Sequence, residues 1–416
     1  MGHATRALTI SMFLGSFAWA FAFISLPFYV QAISTSDAAT TLRWTGWIIG
    51  ISSLVTVLTG PAWGRLAAAG DPKLYYVLIQ LFQGAGFLAM AATRTLFELF
   101  VARFALGFMG AASTVAFMIV GREADREEVR RHVAAIQTAM TIGQVTGPLG
   151  GAIASARLGF RPSFVLGGLI LLGSSAFVHW GVRLPPRPEP PRAAEGRLRV
   201  GDLIVDSLVI LAVSCQLFFL TSVLPQILPG LGVSGENIIE IGGLLVFASA
   251  AAAALGALVT PRLAGMMPER HLTAVLLLIS GAWMAAQALP GGVFGYTLVR
   301  FLQVLCAAPI FPLIVSRIAQ QGSGGAIGIV NSARIGASFV GPVVATSVLA
   351  VGHPVALYLL LAIAGLACIP LTLLRGRVDL GRDRRHGGWL ESPVVNLADQ
   401  ILRPRDAVVR EHPRRQ

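Results

Sequence analysis

Three arginines, Arg103, Arg300 and Arg334, lie inside long apolar stretches of the chain. A guanidinium in bilayer hydrocarbon costs about 2.5–3.5 kcal/mol even on a lenient scale, so each must face protein or a water-filled cavity. We predict that Arg103 and Arg334, each roughly two turns into its stretch, contact a substrate, with Asn331 on nearly the same helix face as Arg334. Binding of backbone carbonyls is the structural alternative for Arg103. Arg300 is the weaker candidate, because its side chain can extend toward the membrane surface.

None of the twenty Asp and Glu residues lies in the middle of an apolar stretch. Arginines without acids predict an electropositive cavity and an anionic or zwitterionic substrate, rather than a lipophilic cation. If a proton is the coupling ion, Asp206 is the best candidate for its site and Glu98 the next. An acid at the membrane interface is the simpler interpretation of either residue, so the coupling ion stays open.

Aromatic and amide residues in the same stretches complete the predicted substrate cavity, although packing alone explains any one of them. They are Trp19, Phe23, Tyr29, Gln144, Gln216, Phe219 and Gln303. The three cysteines have no metal-ligand spacing, and we interpret them as packing residues. The sequence has no glycine-rich phosphate loop and no nucleophile–base set at useful spacing. We therefore expect neither an enzyme nor a cofactor.

The composition predicts the helices that position these residues. The chain has 416 residues, of which 55% are hydrophobic and 12% charged, whereas soluble domains carry about 25% charged residues. A hydrocarbon core of about 30 Å needs roughly 20 apolar residues per helix. We predict an all-α polytopic membrane protein with twelve spans, at residues 7–33, 44–62, 74–92, 97–120, 133–156, 163–182, 203–228, 238–261, 272–290, 294–318, 326–350 and 354–374.

The basic residues predict the orientation of the spans. With the N-terminus inside, 25 of the 32 Lys and Arg residues fall on the inner side and four on the outer side, namely Arg43, Arg94, Arg157 and Arg161. This asymmetry predicts a multi-pass protein of a bacterial-type inner (plasma) membrane with both termini in the cytoplasm. The net charge of +12 follows from this topology, so we expect no nucleic-acid partner.

The chain also repeats itself. At an offset of 197, Arg103-Phe104 maps onto Arg300-Phe301, and at 194 Gly147-Pro148 maps onto Gly341-Pro342. A constant offset over independent landmarks predicts two pseudo-symmetric halves. The predicted organisation is a six-helix half at 1–182, a Pro-rich cytoplasmic linker at 183–202, a second six-helix half at 203–374 and a basic cytoplasmic tail at 375–416.

Three motifs resemble those of major facilitator superfamily transporters, nearest to the twelve-helix drug/proton antiporter branch, over about residues 7–375. The loop after the second span keeps Gly64, Arg65, Leu66 and Lys73, but has Ala68 and Ala69 in place of the family's Asp and Arg. The fourth span has Arg103, Gly107 and Gly110, and the fifth has the antiporter motif Gly143, Gly147, Pro148, Gly150 and Gly151. The resemblance implies that the fifth span helps to seal an outer gate. Generic packing of small residues is the alternative.

The resemblance further implies a secondary active transporter that exports a small organic molecule by alternating access, with proton antiport as one coupling mechanism. One alternative is a facilitator, importer or exporter of an anionic metabolite or siderophore-like carboxylate. Another is a non-transporting membrane scaffold that kept the fold. The expected partners are the lipid bilayer, a small-molecule substrate that can be anionic, and a proton as candidate coupling ion. We expect a monomer.

Overall fold

The computed structural model describes residues 3–121, 126–182, 200–320 and 324–374. In these ranges the chain forms α-helices and one short 3-10 turn, and no strand. The helices are α1 (His3–Ile33), α2 (Ala38–Ala69), α3 (Pro72–Ala92), α4 (Leu96–Gly107), α5 (Ala112–Val120), α6 (Arg126–Leu158), α7 (Phe160–Gly181), α8 (Val200–Phe218), α9 (Leu220–Gly230), α10 (Ile238–Ala264), α11 (Glu269–Ala286), α12 (Val293–Ala307), α13 (Ile310–Gln320), α14 (Gly324–Leu349), α15 (Pro354–Leu366) and α16 (Cys368–Leu374).

The all-α prediction is confirmed. Four predicted spans, the fourth, seventh, tenth and twelfth, are each formed by two consecutive helices: α4 and α5, α8 and α9, α12 and α13, and α15 and α16. Ten of the twelve predicted spans coincide with segments that are long and apolar enough to cross a membrane. The remaining two predicted spans coincide with α6 and α11. Ten of the twelve predicted spans are therefore confirmed by length and composition. The predicted linker and tail lie almost wholly outside the described residues.

Polar side chains cap the N-termini of two helices at the ends of the bundle. Asp37 accepts the Thr40 backbone N–H at 2.9 Å and begins α2, and hydrogen bonds from Thr40 lower the pKa of Asp37. Asp71 accepts the Lys73 N–H at 2.9 Å, and Pro72 occupies the first turn of α3. These contacts satisfy N–H groups that have no partner within the helix, so each begins a helix at a defined residue.

Glycines bring α1 and α6 into close parallel contact. An added Cβ at Gly143 would lie 2.7 Å from the Phe13 carbonyl oxygen, and at Gly147 it would lie 2.8 Å from that of Phe17. A Cβ at Gly151 would collide with the carbonyl of Phe21. The motif glycines at i, i+4 and i+8 therefore pack the fifth span onto the first span of the same half.

The two halves meet through α2 with α14 and α6 with α10. A Cβ at Gly46 would lie 2.9 Å from the Pro342 carbonyl oxygen, and at Gly50 it would lie 2.9 Å from the Cα of Phe339. These residues belong to the first part of α2 and the last part of α14. The helices are therefore antiparallel and touch at one end of the bundle, which we call the closed end.

The same pair of helices is separated at the other end. A Cβ at Gly60 or Gly64 of α2 would have no atom within 4 Å, and the same holds at Gly325 and Gly328 of α14. We call this the open end. In the topology predicted from charge, the closed end faces outside and the open end faces the cytoplasm.

The apolar cores follow this asymmetry. At the closed end, Ile24 and Phe28 of the first half share a buried cluster with Phe219 and Leu224 of the second. Toward the open end, buried residues form separate clusters, one within each half. The first contains Leu8, Tyr76, Ile79, Val115 and Ile136, and the second contains Ile210, Leu277, Ile314 and Val330. Of these three described clusters, only the one at the closed end contains residues of both halves.

Candidate functional site

Arg103 lies in the interior of the first half, where its side chain is 2% exposed. Its guanidinium donates from Nε to the Ile48 carbonyl at 3.1 Å and from Nη2 to the Ile49 carbonyl at 2.8 Å. The rings of Trp19 and Phe23 lie 5.5 and 5.7 Å from its Cζ. Arg103 thus links α4 to α2 and to two aromatic side chains of α1. Arg103 thus has the carbonyl-binding arrangement that was its structural alternative. A role of Arg103 in substrate contact stays a prediction.

Arg300 is equally buried, at 1% exposure. Its Nη1 donates to the Gln216 carbonyl at 2.7 Å, its Nη2 donates to the Leu217 carbonyl at 2.8 Å, and the Phe219 ring lies 5.0 Å from Cζ. The seventh span breaks at Phe219, which removes regular helical partners from the carbonyls before it. The expectation that Arg300 extends toward the membrane surface was wrong, because these carbonyls hold its guanidinium inside the bundle.

Three other predicted cavity residues come together around Arg300. Gln303 accepts from Arg300 Nη1 at 2.8 Å and donates to Gln216 Oε1 at 3.2 Å, and Gln216 donates to the Leu361 carbonyl at 2.8 Å. Gln216, Gln303 and Phe219 are each fully buried. Their donors and acceptors serve one another, so this group forms a polar network inside the second half.

The predicted aromatic residues of α1 separate into two places. Trp19 donates from Nε1 to Gln83 Oε1 at 3.1 Å and lies beside Arg103 with Phe23. Tyr29 lies ten residues further along α1, where its hydroxyl donates to the Thr93 carbonyl at 2.7 Å. Arg161 donates to the same carbonyl at 3.1 Å. Tyr29 therefore belongs to the closed end rather than to the surroundings of Arg103.

Arg334 differs from the two buried arginines. Its side chain is partly exposed, and its Cζ lies 4.7 Å from the centre of the Phe311 ring. Its guanidinium donates no hydrogen bond and forms no ion pair to any residue in the described part of the chain. Asn331 and Ser338 share its helix face, at i−3 and i+4, and are also partly exposed. The eleventh span thus carries a polar, partly open face.

The fifth span carries a matching face. Gln137, Thr141 and Gln144 follow at i, i+4 and i+7 on α6, and all three are exposed. Polar side chains in a membrane span face the protein interior or water rather than lipid. At the repeat offset of 194, Gln137 and Gln144 correspond to Asn331 and Ser338. Both faces lie between the Gly-Pro step and the open end, where α2 and α14 are separated, and we take them as the candidate lining of the cleft between the halves.

The sequence-based prediction included Gln144 and Asn331 but missed Gln137, Thr141, Ser338 and Phe311. The polar period of three to four residues inside an apolar span could have identified the first three. Phe311 had no signal of its own, because it lies on another span and meets Arg334 only through packing.

The candidate proton sites have different surroundings. Asp206, with a side chain 1% exposed, contacts Arg317 at 2.5 Å between Oδ2 and Nη2, and Arg317 Nε lies 3.3 Å from Glu269 Oε2. This cluster joins α8, α13 and α11 near the open end. Glu98 is exposed and accepts the Arg94 backbone N–H at 2.7 Å, which is a capping interaction at the start of α4. The proton roles of both acids stay predictions.

The remaining motif residues divide between the two ends. Gly64, Arg65, Leu66 and Lys73 lie around the α2–α3 turn at the open end, and Arg65 and Leu66 are exposed. Gly107 and Gly110 flank the break of the fourth span, where a Cβ would lie 2.6 Å from Val55 Cβ and 2.7 Å from Thr56 Cβ, respectively. These two glycines allow the break to pack on α2.

The motif in the fifth span also reaches the other half. The Pro148 carbonyl oxygen would lie 3.2 Å from a Cβ at Gly243 of α10, which also packs against Ala152. Gly150 contacts the Phe17 ring, with a Cβ distance of 3.1 Å. The glycines thus pack within their half, and the contact across the closed end is made by Pro148 and Ala152. A gating role for the motif stays a prediction.

A helical membrane protein whose two halves touch at one end and leave a polar cleft at the other has the architecture of secondary transporters. The sequence profile of the Major Facilitator Superfamily matches residues 8–298, more than half of the chain. The chain belongs to this superfamily, and the predicted family is thereby confirmed.

Relatives and a solved structure agree with this family. The MFS-type transporter YuxJ of Bacillus subtilis (strain 168) is 24% identical over 330 residues, which cover 76% of this chain and 83% of YuxJ. Multidrug resistance protein MdtG of Rahnella sp. (strain Y9602) is 22% identical, covering 82% and 85% of the two chains. A bacterial homologue of the human lysosomal transporter Spinster, solved in an inward-facing and unoccupied conformation, superimposes with a TM-score of 0.67 at 15% identity, covering 89% and 94%.

Proposed function

We propose that this chain exports a small organic molecule across a bacterial-type inner membrane by alternating access. The observation that carries the proposal is the unequal spacing of α2 and α14. Their backbones touch at Gly46 and Gly50, and they are separated at Gly60 and Gly64. A protein that rocks between two states needs a contact at one end that can open when the other end closes.

The proposed cycle begins with the cleft open toward the cytoplasm. A substrate enters between the polar faces of α6 and α14, and the halves then rock so that α2 and α14 separate at the closed end. This motion would also separate the apolar side chains that the halves share at the closed end, Ile24 and Phe28 with Phe219 and Leu224. The export direction is supported by similarity to proteins named multidrug resistance protein MdtG.

Proton antiport is the proposed coupling, and the cluster of Asp206, Glu269 and Arg317 is its candidate site. Two carboxylates share one guanidinium there, so a proton on either acid would leave the other paired. The second candidate function is facilitated movement of an anionic metabolite or siderophore-like carboxylate. The partly open arginine in the cleft favours it.

A flux assay in proteoliposomes separates these functions. A panel of drugs and organic acids would be tested with and without a pH gradient. Antiport predicts uphill movement of at least one compound that depends on the gradient. A facilitator would equilibrate its substrate regardless of the gradient, and a non-transporting scaffold would move none.

A reversible cross-link tests alternating access itself. A Trp47→Cys/Phe339→Cys pair in a cysteine-free background would join α2 to α14 at the closed end, where the two aromatic rings lie 5.3 Å apart and no glycine is replaced. Oxidation should stop flux, reduction should restore it, and each single-cysteine variant should be insensitive. Unchanged flux through the oxidised double variant would refute a rocking mechanism.

A further inference from the structure

We infer that Arg334 is the anion-binding residue of the cleft and takes a substrate carboxylate, whereas Arg103 and Arg300 serve to hold helices together. This inference rests on the proposed transport function and names the chemical class of its substrate.

The first argument is the use of hydrogen-bond donors. Arg103 directs Nε and Nη2 at two carbonyls of α2, and Arg300 directs both terminal nitrogens at two carbonyls of α8 and at Gln303. Both side chains are buried to 2% exposure or less. Arg334 is partly exposed and donates to none of the described residues. It alone of the three retains its full set of donors for a ligand.

The second argument is the geometry around the Arg334 guanidinium. The Phe311 ring lies 4.7 Å from its Cζ. An aromatic ring accepts no N–H from this guanidinium in the described hydrogen bonds, and two parallel N–H groups match the two oxygens of a carboxylate. Asn331 and Ser338 on the same face of α14 can donate further hydrogen bonds to a bound anion.

The third argument is the comparison of the repeats. At the offset of 194, Arg334 corresponds to Met140 of α6, while its polar neighbours correspond to Gln137 and Gln144. The corresponding helix of the first half thus has a polar face and a Gly-Pro step but carries Met140 instead of a charged residue. The fold of a half therefore does not require an arginine here, and binding of a ligand explains why a charged side chain is kept inside the membrane despite its free-energy cost.

The expected substrate is therefore a monocarboxylate. One guanidinium on one side of the cleft can neutralise one anionic group, while α6 contributes uncharged amides and a hydroxyl on the other side. The positive charge of Arg334 would repel a cationic substrate.

The test is equilibrium binding to the full chain in lipid nanodiscs. The probes are matched triplets that share a body and differ in head group: naphthoate, naphthamide and naphthylmethylamine, and octanoate, octanamide and octylamine. At least one carboxylate should bind about 10- to 100-fold more tightly than its amide, because a charge-assisted hydrogen bond is lost with the amide. The amines should bind most weakly.

Arg334→Met, which places the residue of the first half at this position, should remove the preference for the carboxylate. Arg334→Lys should retain part of it, since it keeps the charge without the fork. Arg43→Met is the matched control, because Arg43 is exposed on α2 near the closed end, and it should bind as the unchanged protein does.

Several results would overturn the inference: no carboxylate preferred over its amide, preference for the amines, or an unaltered preference in Arg334→Met. Flux separates its failure from that of the proposed function. Gradient-driven movement of amines or neutral compounds that survives Arg334→Met refutes the anion site and leaves transport intact. If Arg334→Met loses carboxylate binding and no probe is transported even by the unchanged protein, the transport proposal is refuted and the anion-binding site is still supported.

Discussion

Alanine at position 46 is expected to weaken the closed end of the bundle. Gly46 lies on α2 against α14, where an added Cβ would lie 2.9 Å from the Pro342 carbonyl oxygen and 3.0 Å from the Cα of Val343. Ordinary contacts of a Cβ begin at 3.4 Å. The Cβ would also collide with Thr346 Oγ1, a side-chain atom that rotation can move away, but Pro342 O and Val343 Cα are backbone atoms, so the two helices must still move apart.

The magnitude follows from where the overlap falls. The helices must separate by roughly 0.5 Å to restore ordinary contact, and overpacking of this kind costs about 1–3 kcal/mol. The contact joins the two halves, so this free energy is removed from the state with the closed end intact and not from the fold of either half. The ratio of that state to the opposite state should fall by about 5- to 150-fold.

The measurement is the distance distribution between spin labels at Arg43 and Val351, both of which are exposed at the closed end. Gly46→Ala should add or enlarge a population at longer distance while the melting temperature changes little. Gly173→Ala is the matched control, because a Cβ there has no atom within 4 Å, and its distribution should match that of the unchanged protein.

A second comparison separates conformation from folding. Gly151→Ala places its Cβ against the Phe21 carbonyl within one half, so it should lower the melting temperature without lengthening the label distance. The reasoning is refuted if Gly46→Ala has the distribution of the unchanged protein. It is also refuted if Gly46→Ala loses as much thermal stability as Gly151→Ala.

Three further substitutions address the arginines and the open end. Arg300→Met removes charge-assisted hydrogen bonds to two buried carbonyls, so the free energy of unfolding should fall by about 3 kcal/mol or more; denaturation that matches the unchanged protein would contradict this role. Asp206→Asn leaves Arg317 with one acid and should lower the free energy of unfolding by about 1–3 kcal/mol. Adding Arg317→Gln in the same chain should restore part of that loss. Strictly additive effects of the two substitutions on the free energy of unfolding would argue against a coupled pair. Ala68→Asp restores the carboxylate of the family motif and should enlarge the outward-facing population in the label-distance assay, and no change would count against it.

Much of the fold could be predicted from the sequence because lipid imposes a simple rule. A span must be apolar and must satisfy its own backbone, so apolar runs bounded by charges correspond to helices. The repeat landmarks Arg103 and Arg300 were likewise visible at a constant offset. The break at Phe219 was not, because no Gly or Pro stands there, and it is stabilised by an arginine 81 residues away in the chain.

The roles of the arginines show where sequence reasoning ended. Their placement within apolar stretches required only the sequence, since the cost of a charge in hydrocarbon restricts each to a protein or water environment. Which of the two environments applies depends on whether carbonyls of another helix come within hydrogen-bonding distance. Those of Ile48 and Ile49 reach Arg103, and those of Gln216 and Leu217 reach Arg300.

The sequence by itself determined the class of protein, the family, the twofold repeat and most of the spans, because these depend on local composition and on motifs read in order. Only the tertiary structure decided which end of the bundle is closed, that the motif glycines of α6 pack on α1 of their own half, and that Arg334 differs from Arg103 and Arg300. The physical reason is that each of these properties is a contact between helices distant in sequence. Whether a donor is satisfied, or a glycine is crowded, depends on the neighbour that packing brings to it.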